Sequence, residues 1–282
     1  MIALEFDRVS RAFSSPAGEP YRVLENLSLS VTAGAFVAIV GPSGCGKSTL
    51  LNIAAGQLPV TSGSVRVNGA EFAGLNRQAT YMFQQDALLP WKNVRDNVAL
   101  GPMLSGATAT AARARADEWL ARVGLSGFAA HYPAQLSGGM KKRVAMAQNW
   151  ILGRSQVLMD EPFSALDVHT RQQMEAALLE LWDADPAVDD ATANTTHAGP
   201  AVKSRRTVVF VTHDLHEAIV LADQVVVLSA APASRIVARH AVNLPRPRNL
   251  MDVQLSPEFA DLYRLLWSVL REEVLRSQAR HA

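Results

Sequence analysis

The sequence predicts an α/β fold built on a mixed, mainly parallel sheet. Short unbroken apolar runs alternate with helical stretches, the pattern of strands covered on both faces by helices. The first such run, Phe36-Val37-Ala38-Ile39-Val40, passes straight into a glycine-rich turn and then a helix from about Lys47. Ahead of it lie two extended segments that look antiparallel, so a mixed margin is expected at the N-terminal side of the sheet.

Taken in order, residues 3–9 read as an edge strand, followed by a loop with Pro16, Gly18 and Pro20. Residues 23–32 alternate apolar and polar, as a strand with one solvated face does. Val65-Arg66-Val67 is a short strand before the turn at Asn68-Gly69. Residues 106–123, rich in Ala and Arg, and residues 137–152 are helical. Gln156-Val157-Leu158-Met159 and residues 207–212 are further buried strands. A helix containing residues 217–222 precedes the strand Val225-Val226-Val227-Leu228. Residues 183–205 lack apolar periodicity and are rich in Ala, Asp, Thr and Pro, which predicts a mobile surface insertion. Near the C-terminus, Ser256-Pro257-Glu258 supplies an N-cap, a Pro at the first helical position and an early acid. Phe259, Leu262, Leu266, Val269 and Leu270 form the apolar face of the helix they start, which reads as a packing face.

Composition narrows the function classes. The 282 residues carry 27 Lys+Arg against 26 Asp+Glu, a net charge of +1. That balance argues against a nucleic-acid partner, which calls for a basic excess. Apolar residues make up 49% of the chain, enough for a sizeable core. One cysteine, Cys45, gives no internal disulfide framework. Met1-Ile2-Ala3-Leu4-Glu5-Phe6-Asp7 lacks the basic start and apolar stretch of a secretory signal. The most apolar stretches, residues 33–40 and 218–228, are too short to span a bilayer, and Asp223 breaks the second. A cytosolic protein is expected, with any membrane role requiring a partner. The basic runs 141–143 and 203–206 read as solvated surface charge.

Three segments carry chemistry. Gly41-Pro42-Ser43-Gly44-Cys45-Gly46-Lys47-Ser48-Thr49 matches the phosphate-binding pattern G-x-x-x-x-G-K-[ST]. Glycines let successive backbone N–H groups curl around one anion, and the helix N-terminus adds a positive dipole end. Lys47 is placed to reach the β- and γ-phosphates and the Ser48 hydroxyl to bind Mg²⁺. Cys45 reads as a small residue directed away from the phosphates. The strand ending Met159-Asp160-Glu161 offers two carboxylates: Asp160 to hold Mg²⁺ through its water shell, Glu161 to act as general base on water. Finally, Leu136-Ser137-Gly138-Gly139-Met140 opens a helix that Ser137 can cap while the glycines leave its N–H groups bare. One ATP hardly needs two such helices from one subunit. If the second faces another subunit's ATP, two copies pair head-to-tail around two nucleotides.

With these segments in hand, the chain resembles the ATP-binding subunits of ABC transporters over nearly its whole length. The phosphate loop, Leu136-Ser137-Gly138-Gly139-Met140, the Asp160-Glu161 strand, Ser164-Ala165-Leu166-Asp167 and Val211-Thr212-His213-Asp214 stand in that family's order and spacing. The resemblance implies a P-loop NTPase of ABC type, with an antiparallel N-terminal β-subdomain and an α-helical signature subdomain at about 85–155. The ATPase domain would occupy 1–242 and a helical extension 243–282. Gln84 looks like the glutamine that contacts Mg²⁺ and senses the membrane subunit. Ser137, Gly138 and Gly139 look like signature residues that meet the partner's γ-phosphate, Asp167 like the interface acid, and His213 like the histidine that holds the γ-phosphate and attacking water. Phe13 is similar to the aromatic that stacks on adenine, with Tyr21 as the alternative.

Asp86-Ala87-Leu88-Leu89-Pro90-Trp91, Met159-Asp160-Glu161-Pro162-Phe163 and Leu244-Pro245-Arg246-Pro247-Arg248 resemble the nitrate/sulfonate/taurine importer branch. That branch implies ATP and Mg²⁺ as cofactors and a homodimer as the working form. It also implies membrane permease subunits, a periplasmic binding protein acting indirectly, and a peripheral place on the cytoplasmic face of a bacterial inner membrane. Met140 stands where the broad family has Gln, and Gln148-Asn149-Trp150 where it has an Arg-Ala pair and an aliphatic residue. An exporter subunit or a soluble non-transport ABC ATPase shares the core motifs. A P-loop kinase would leave the segment 136–140 without a purpose.

Overall fold

The computed structural model describes residues 1–14, 20–184 and 205–279. Two sheets form the frame. The first is antiparallel: β1 (Ile2–Ser14) pairs with β2 (Pro20–Thr32) on one side and with β4 (Ser62–Val67) on the other, and β5 (Ala70–Glu71) follows β4. The expected edge strand at residues 3–9 is therefore interior. Alternation reports which face is wet, and it says nothing of a neighbour arriving some fifty residues later, as Ser62–Val67 does.

The second sheet has six strands in the order β10-β9-β3-β8-β7-β6. They are β10 (Ile236–Ala241), β9 (Gln224–Leu228), β3 (Phe36–Val40), β8 (Thr207–Val211), β7 (Gln156–Asp160) and β6 (Ala79–Met82). All neighbours are parallel except the edge strand β10. Every residue of β3 and β8 is buried, which explains their unbroken apolar sequences.

Burial on both faces still leaves a period of two, because the sheet separates two cores. Phe36, Ala38 and Val40 of β3, with Val208 and Phe210 of β8, face one core; Val37, Ile39, Val209 and Val211 face the other. The second core lies between the sheets, filled by Leu27, Leu29 and Val31 of β2 and by Leu50, Leu51 and Ile53 of α1 (Lys47–Ala54). The first takes in the remaining helices: α2 (Val94–Leu104), α3 (Ala109–Arg122), α4 (Gly138–Trp150), α5 (Val168–Ala184), α6 (Leu215–Leu221), α7 (Leu250–Val253) and α8 (Pro257–Ala279).

Side chains close several helix starts. Ser137 caps α4 as the sequence suggests, and Asn93, Thr108 and Asp214 cap α2, α3 and α6. The Ser256 hydroxyl accepts from the Phe259 N–H at 3.2 Å at the start of α8, which buries Phe259, Leu266 and Leu270. Leu244-Pro245-Arg246-Pro247-Arg248 closes the other end of α6. Arg248 donates to the carbonyls of Ile219, Val220 and Ala222 at 2.8–3.2 Å, and Arg246 to that of Leu221 at 2.7 Å, satisfying acceptors a helix end leaves open.

Both basic runs depart from the expected solvated charge. Lys142 is 3% exposed and Arg206 1%. Arg206 donates to the Trp150 carbonyl at 3.0 Å, while Arg205 pairs with Asp183 at 3.2 Å. The insertion expected at 183–205 otherwise lies outside the described residues.

Candidate functional site

Four strands of the parallel sheet, β3, β8, β7 and β6, end on the same side and each hands its next residues to one place. This is where ligands gather in open α/β sheets. From β3 comes the loop 41–46 and the start of α1. Gly46 has φ +94°, and a Cβ there would meet Val23 and Leu24 of β2 at 2.7 and 2.9 Å. A side chain on Gly41 would strike Cys45 Sγ at 2.8 Å. Cys45 is wholly buried, its thiol turned inward and pushed up in pKa by that burial, as its expected orientation away from the phosphates requires. Its backbone N–H donates to the Pro42 carbonyl at 3.3 Å, shaping the turn.

Ser43 and Gly44 are exposed at the crest of the loop, and no side chain caps α1 at Gly46. The N–H groups of its first turn, Lys47, Ser48 and Thr49, are thus left for an anion. Lys47 is buried, and its ammonium donates to the carbonyls of Gly41 and Pro42 at 2.8 and 3.0 Å. A cation held over a curl of bare N–H groups fits a polyphosphate.

From β7 come Asp160 and Glu161. The Ser48 hydroxyl donates to Asp160 Oδ1 at 2.9 Å and the Tyr81 hydroxyl to Oδ2 at 3.3 Å. Burial pushes the Asp160 carboxyl up, against the pull of those two donors and of Lys47. Burial and the Asp160 charge push the Tyr81 phenol up as well. A hydroxyl and one carboxylate suit Mg²⁺, which completes its octahedron with water and phosphate oxygens. Among the described residues there is no cluster of three or more His, Cys, Asp or Glu side chains to hold a metal unaided.

Glu161 has φ +43°, a strained conformation for a side chain of its kind. Its N–H is tied to the Val211 carbonyl at 2.9 Å, and its carbonyl accepts from the Ser164 hydroxyl at 3.1 Å. The strain turns the carboxylate to where two further segments arrive. His213, just beyond β8, places Nδ1 3.1 Å from Glu161 Oε2, and Gln84, just beyond β6, donates to the same oxygen at 3.4 Å.

The signature segment stands elsewhere. Ser137 and Gly138 are exposed, and the Ser137 hydroxyl accepts from the Met140 N–H at 3.3 Å as the cap of α4. Near neighbours of a Cβ on Gly138 and Gly139 would be Leu166 and Thr170, not the phosphate loop. Asp167 is exposed and receives the Thr170 N–H at 3.0 Å; the Thr170 side chain, and after it that N–H, pull its carboxyl below the usual range. Phe13 and Tyr21 are direct cross-strand partners in β1 and β2. Arg11 covers the Phe13 ring at 4.5 Å, and Tyr21 is the more exposed of the two.

Several residues near the site carry no motif. Lys142 on α4 donates to the Gln84 carbonyl at 2.6 Å and pairs with Asp86 at 3.1 Å. Helical spacing held the clue, since Lys142 shares a face with Ala145, Met146 and Asn149, all buried. Tyr81 reaches Asp160 only because β6 lies beside β7, which no local pattern announces. Glu175 on α5 is 1% exposed, and among the described residues neither carboxylate oxygen has a hydrogen-bond partner. Burial, then Glu217 and Asp214, push it up to about 8, against Arg171. It stays protonated in the fold while the unfolded chain ionises near 4.5, so stability falls as pH rises between those values and levels off above about 8. Glu175→Gln is expected to flatten that slope, gaining on the order of 2 kcal/mol at pH 8. Urea unfolding at pH 5 and pH 8 checks it; an unchanged slope refutes it.

The family described as ABC transporter matches residues 24–164. A taurine import ATP-binding protein, TauB, of Rhizobium johnstonii is 38% identical over 98% of this chain and 100% of its own length. This chain belongs to the ABC transporter ATPase family. The ABC assignment extends to the nitrate import ATP-binding protein NrtC of Synechococcus elongatus, 35% identical over 96% of this chain and 39% of that larger protein. It extends to structure as well. The ATP-binding cassette MJ0796, solved as a dimer in a post-hydrolysis state with ADP and Pi, matches with a TM-score of 0.68 and 28% identity. The match covers 86% of this chain and all of that one. The fold is thus that of an ABC ATPase and the activity is ATP hydrolysis. No described helix is long and apolar enough to cross a membrane.

Proposed function

We propose that this ABC ATPase energises uptake of a small anion such as an aliphatic sulfonate, taurine or nitrate. It works as a homodimer on the cytoplasmic face of a bacterial inner membrane, beneath permease subunits fed by a periplasmic binding protein. The convergence of Lys47, Ser48, Gln84, Asp160, Glu161 and His213 beyond four parallel strands carries the catalytic part of this reading. The taurine and nitrate importers among its relatives support the branch.

In the proposed cycle the N–H groups at 41–49 and the Lys47 ammonium bind the ATP phosphates. Phe13, or Tyr21 beside it, stacks on adenine. Ser48 and Asp160 would hold Mg²⁺, with Gln84 nearby, and the bound ion would supply charge neutralisation at the phosphates. Glu161 takes a proton from water as the water oxygen bonds to the γ-phosphorus and the bond from that phosphorus to the bridging β-phosphate oxygen breaks, leaving ADP and inorganic phosphate, and His213 orients the water and the γ-phosphate. Ser137, Gly138 and Gly139 of one subunit close on ATP held by the other, with Asp167 at the interface. Their exposure, away from the subunit's own phosphate loop, supports that division of labour. Catalysis is mostly positioning and charge stabilisation. Closure reaches the permease through the Gln84 loop and the segment around Trp91, which is 71% exposed.

Growth of a strain lacking this subunit on taurine, alkanesulfonates, nitrate or sulfate as the single sulfur or nitrogen source tests the reading. Selective failure on one, rescued by wild type and not by Glu161→Gln, names the substrate. Normal growth on all of them overturns the branch.

A further inference from the structure

We infer that Arg171 is a positioning residue that carries the state of the segment 164–167 to His213. The inference rests on the proposed roles of Asp167 at the interface and His213 at the γ-phosphate.

Arg171 lies in the first turn of α5 and spans the two segments. One nitrogen, Nη2, donates to the Leu166 carbonyl at 3.2 Å, beside Asp167. The other, Nη1, donates to Asp214 Oδ2 at 3.1 Å, beside His213, and Nε lies 3.6 Å from Glu217 Oε1. Asp214 is itself held, its Oδ1 accepting from the His216 N–H at 2.8 Å. On the other side of His213, the Thr212 hydroxyl donates to Glu217 Oε2 at 2.6 Å and accepts the Asp214 N–H at 3.0 Å. Both backbone neighbours of His213 therefore belong to one network, and Arg171 is the cation that Asp214 and Glu217 share in it. His213 itself is exposed and reaches Glu161 at 3.1 Å, so its direction depends on that base.

A guanidinium is a rigid planar fork, so it cannot follow Leu166 without shifting its hold on Asp214. When a second subunit presses on Asp167, the displacement passes through the fork to the turn that aims the imidazole. Lysine keeps the charge but replaces the fork with a single point.

The test uses the full chain. Arg171→Lys is expected to lower kcat for ATP on the order of 10²-fold, the cost of misplacing a reacting group by about 1 Å. Affinity for Mg-ATP should stay within about twofold and Tm within a few degrees. The double variant Arg171→Lys, Asp214→Asn should lose no more than the worse single one, because both cut the same link. Wild-type kcat in Arg171→Lys, joint loss of affinity and Tm with kcat, or strictly additive losses each overturn the inference. Glu161→Gln run alongside separates the two levels. Wild-type turnover there overturns the catalytic assignment, whereas an inactive Glu161→Gln with an unimpaired Arg171→Lys overturns this inference alone.

Discussion

Glu161→Gln binds ATP with unchanged affinity but hydrolyses it at least about 10²-fold more slowly, the scale of a lost general base. The substitution keeps the shape of a side chain held at φ +43° between β7 and β8, so the phosphate loop should be untouched. What goes is the acceptor for the proton of the attacking water, and the charge that His213 and Gln84 converge on. With hydrolysis blocked and binding intact, the ATP-bound form accumulates as a dimer. Phosphate release and gel filtration with and without Mg-ATP measure the two effects. Turnover at the wild-type rate would sink the general-base role. Loss of ATP affinity would place Glu161 in binding rather than catalysis.

Lys47→Ala acts at the other end of the site and on the other constant. Its ammonium is buried and rests on the Gly41 and Pro42 carbonyls, within the curl of the loop. A charge-assisted bond of this kind is worth roughly 3 kcal/mol, so ATP affinity should fall about 10²-fold. The glycines, the turn bond from Cys45 to Pro42 and the packing of Leu50 and Leu51 all remain, so the variant should fold. Fluorescence titration with ATP, alongside thermal melting, separates binding from stability. Unchanged affinity refutes the cradle.

The two variants divide the site by how each half could be read. The phosphate loop is contiguous in sequence, since one turn must supply every N–H group, so its residues and spacing were legible at once. Asp160 and Glu161 were legible too, because a buried strand ending in two acids is unusual beside such a loop. Ser137, Gly138 and Gly139 stood out by the same logic of a bare helix start. Gln84 and His213 became candidates through family resemblance, for an isolated Gln or His carries no spacing to interpret.

Tertiary structure decided what had to come from separate elements. Adjacency of β6, β7 and β8 set Tyr81 on Asp160, and Gln84 and His213 on one oxygen of Glu161. It made β1 interior, since strand neighbours are chosen by the whole sheet and not by a strand's own pattern. It also buried Lys142 and Arg206 in contacts with segments far along the chain, where charge alone had suggested solvent for the runs containing them, and it set the half-buried Arg171 against Asp214. By itself the sequence determined the alternation of strands and helices, the caps at Ser137 and Ser256 and the pattern of the phosphate loop, all governed by residues within a few positions of one another. Which carboxylate meets which base depends on strand order and on packing between distant segments, and only the folded chain settles those.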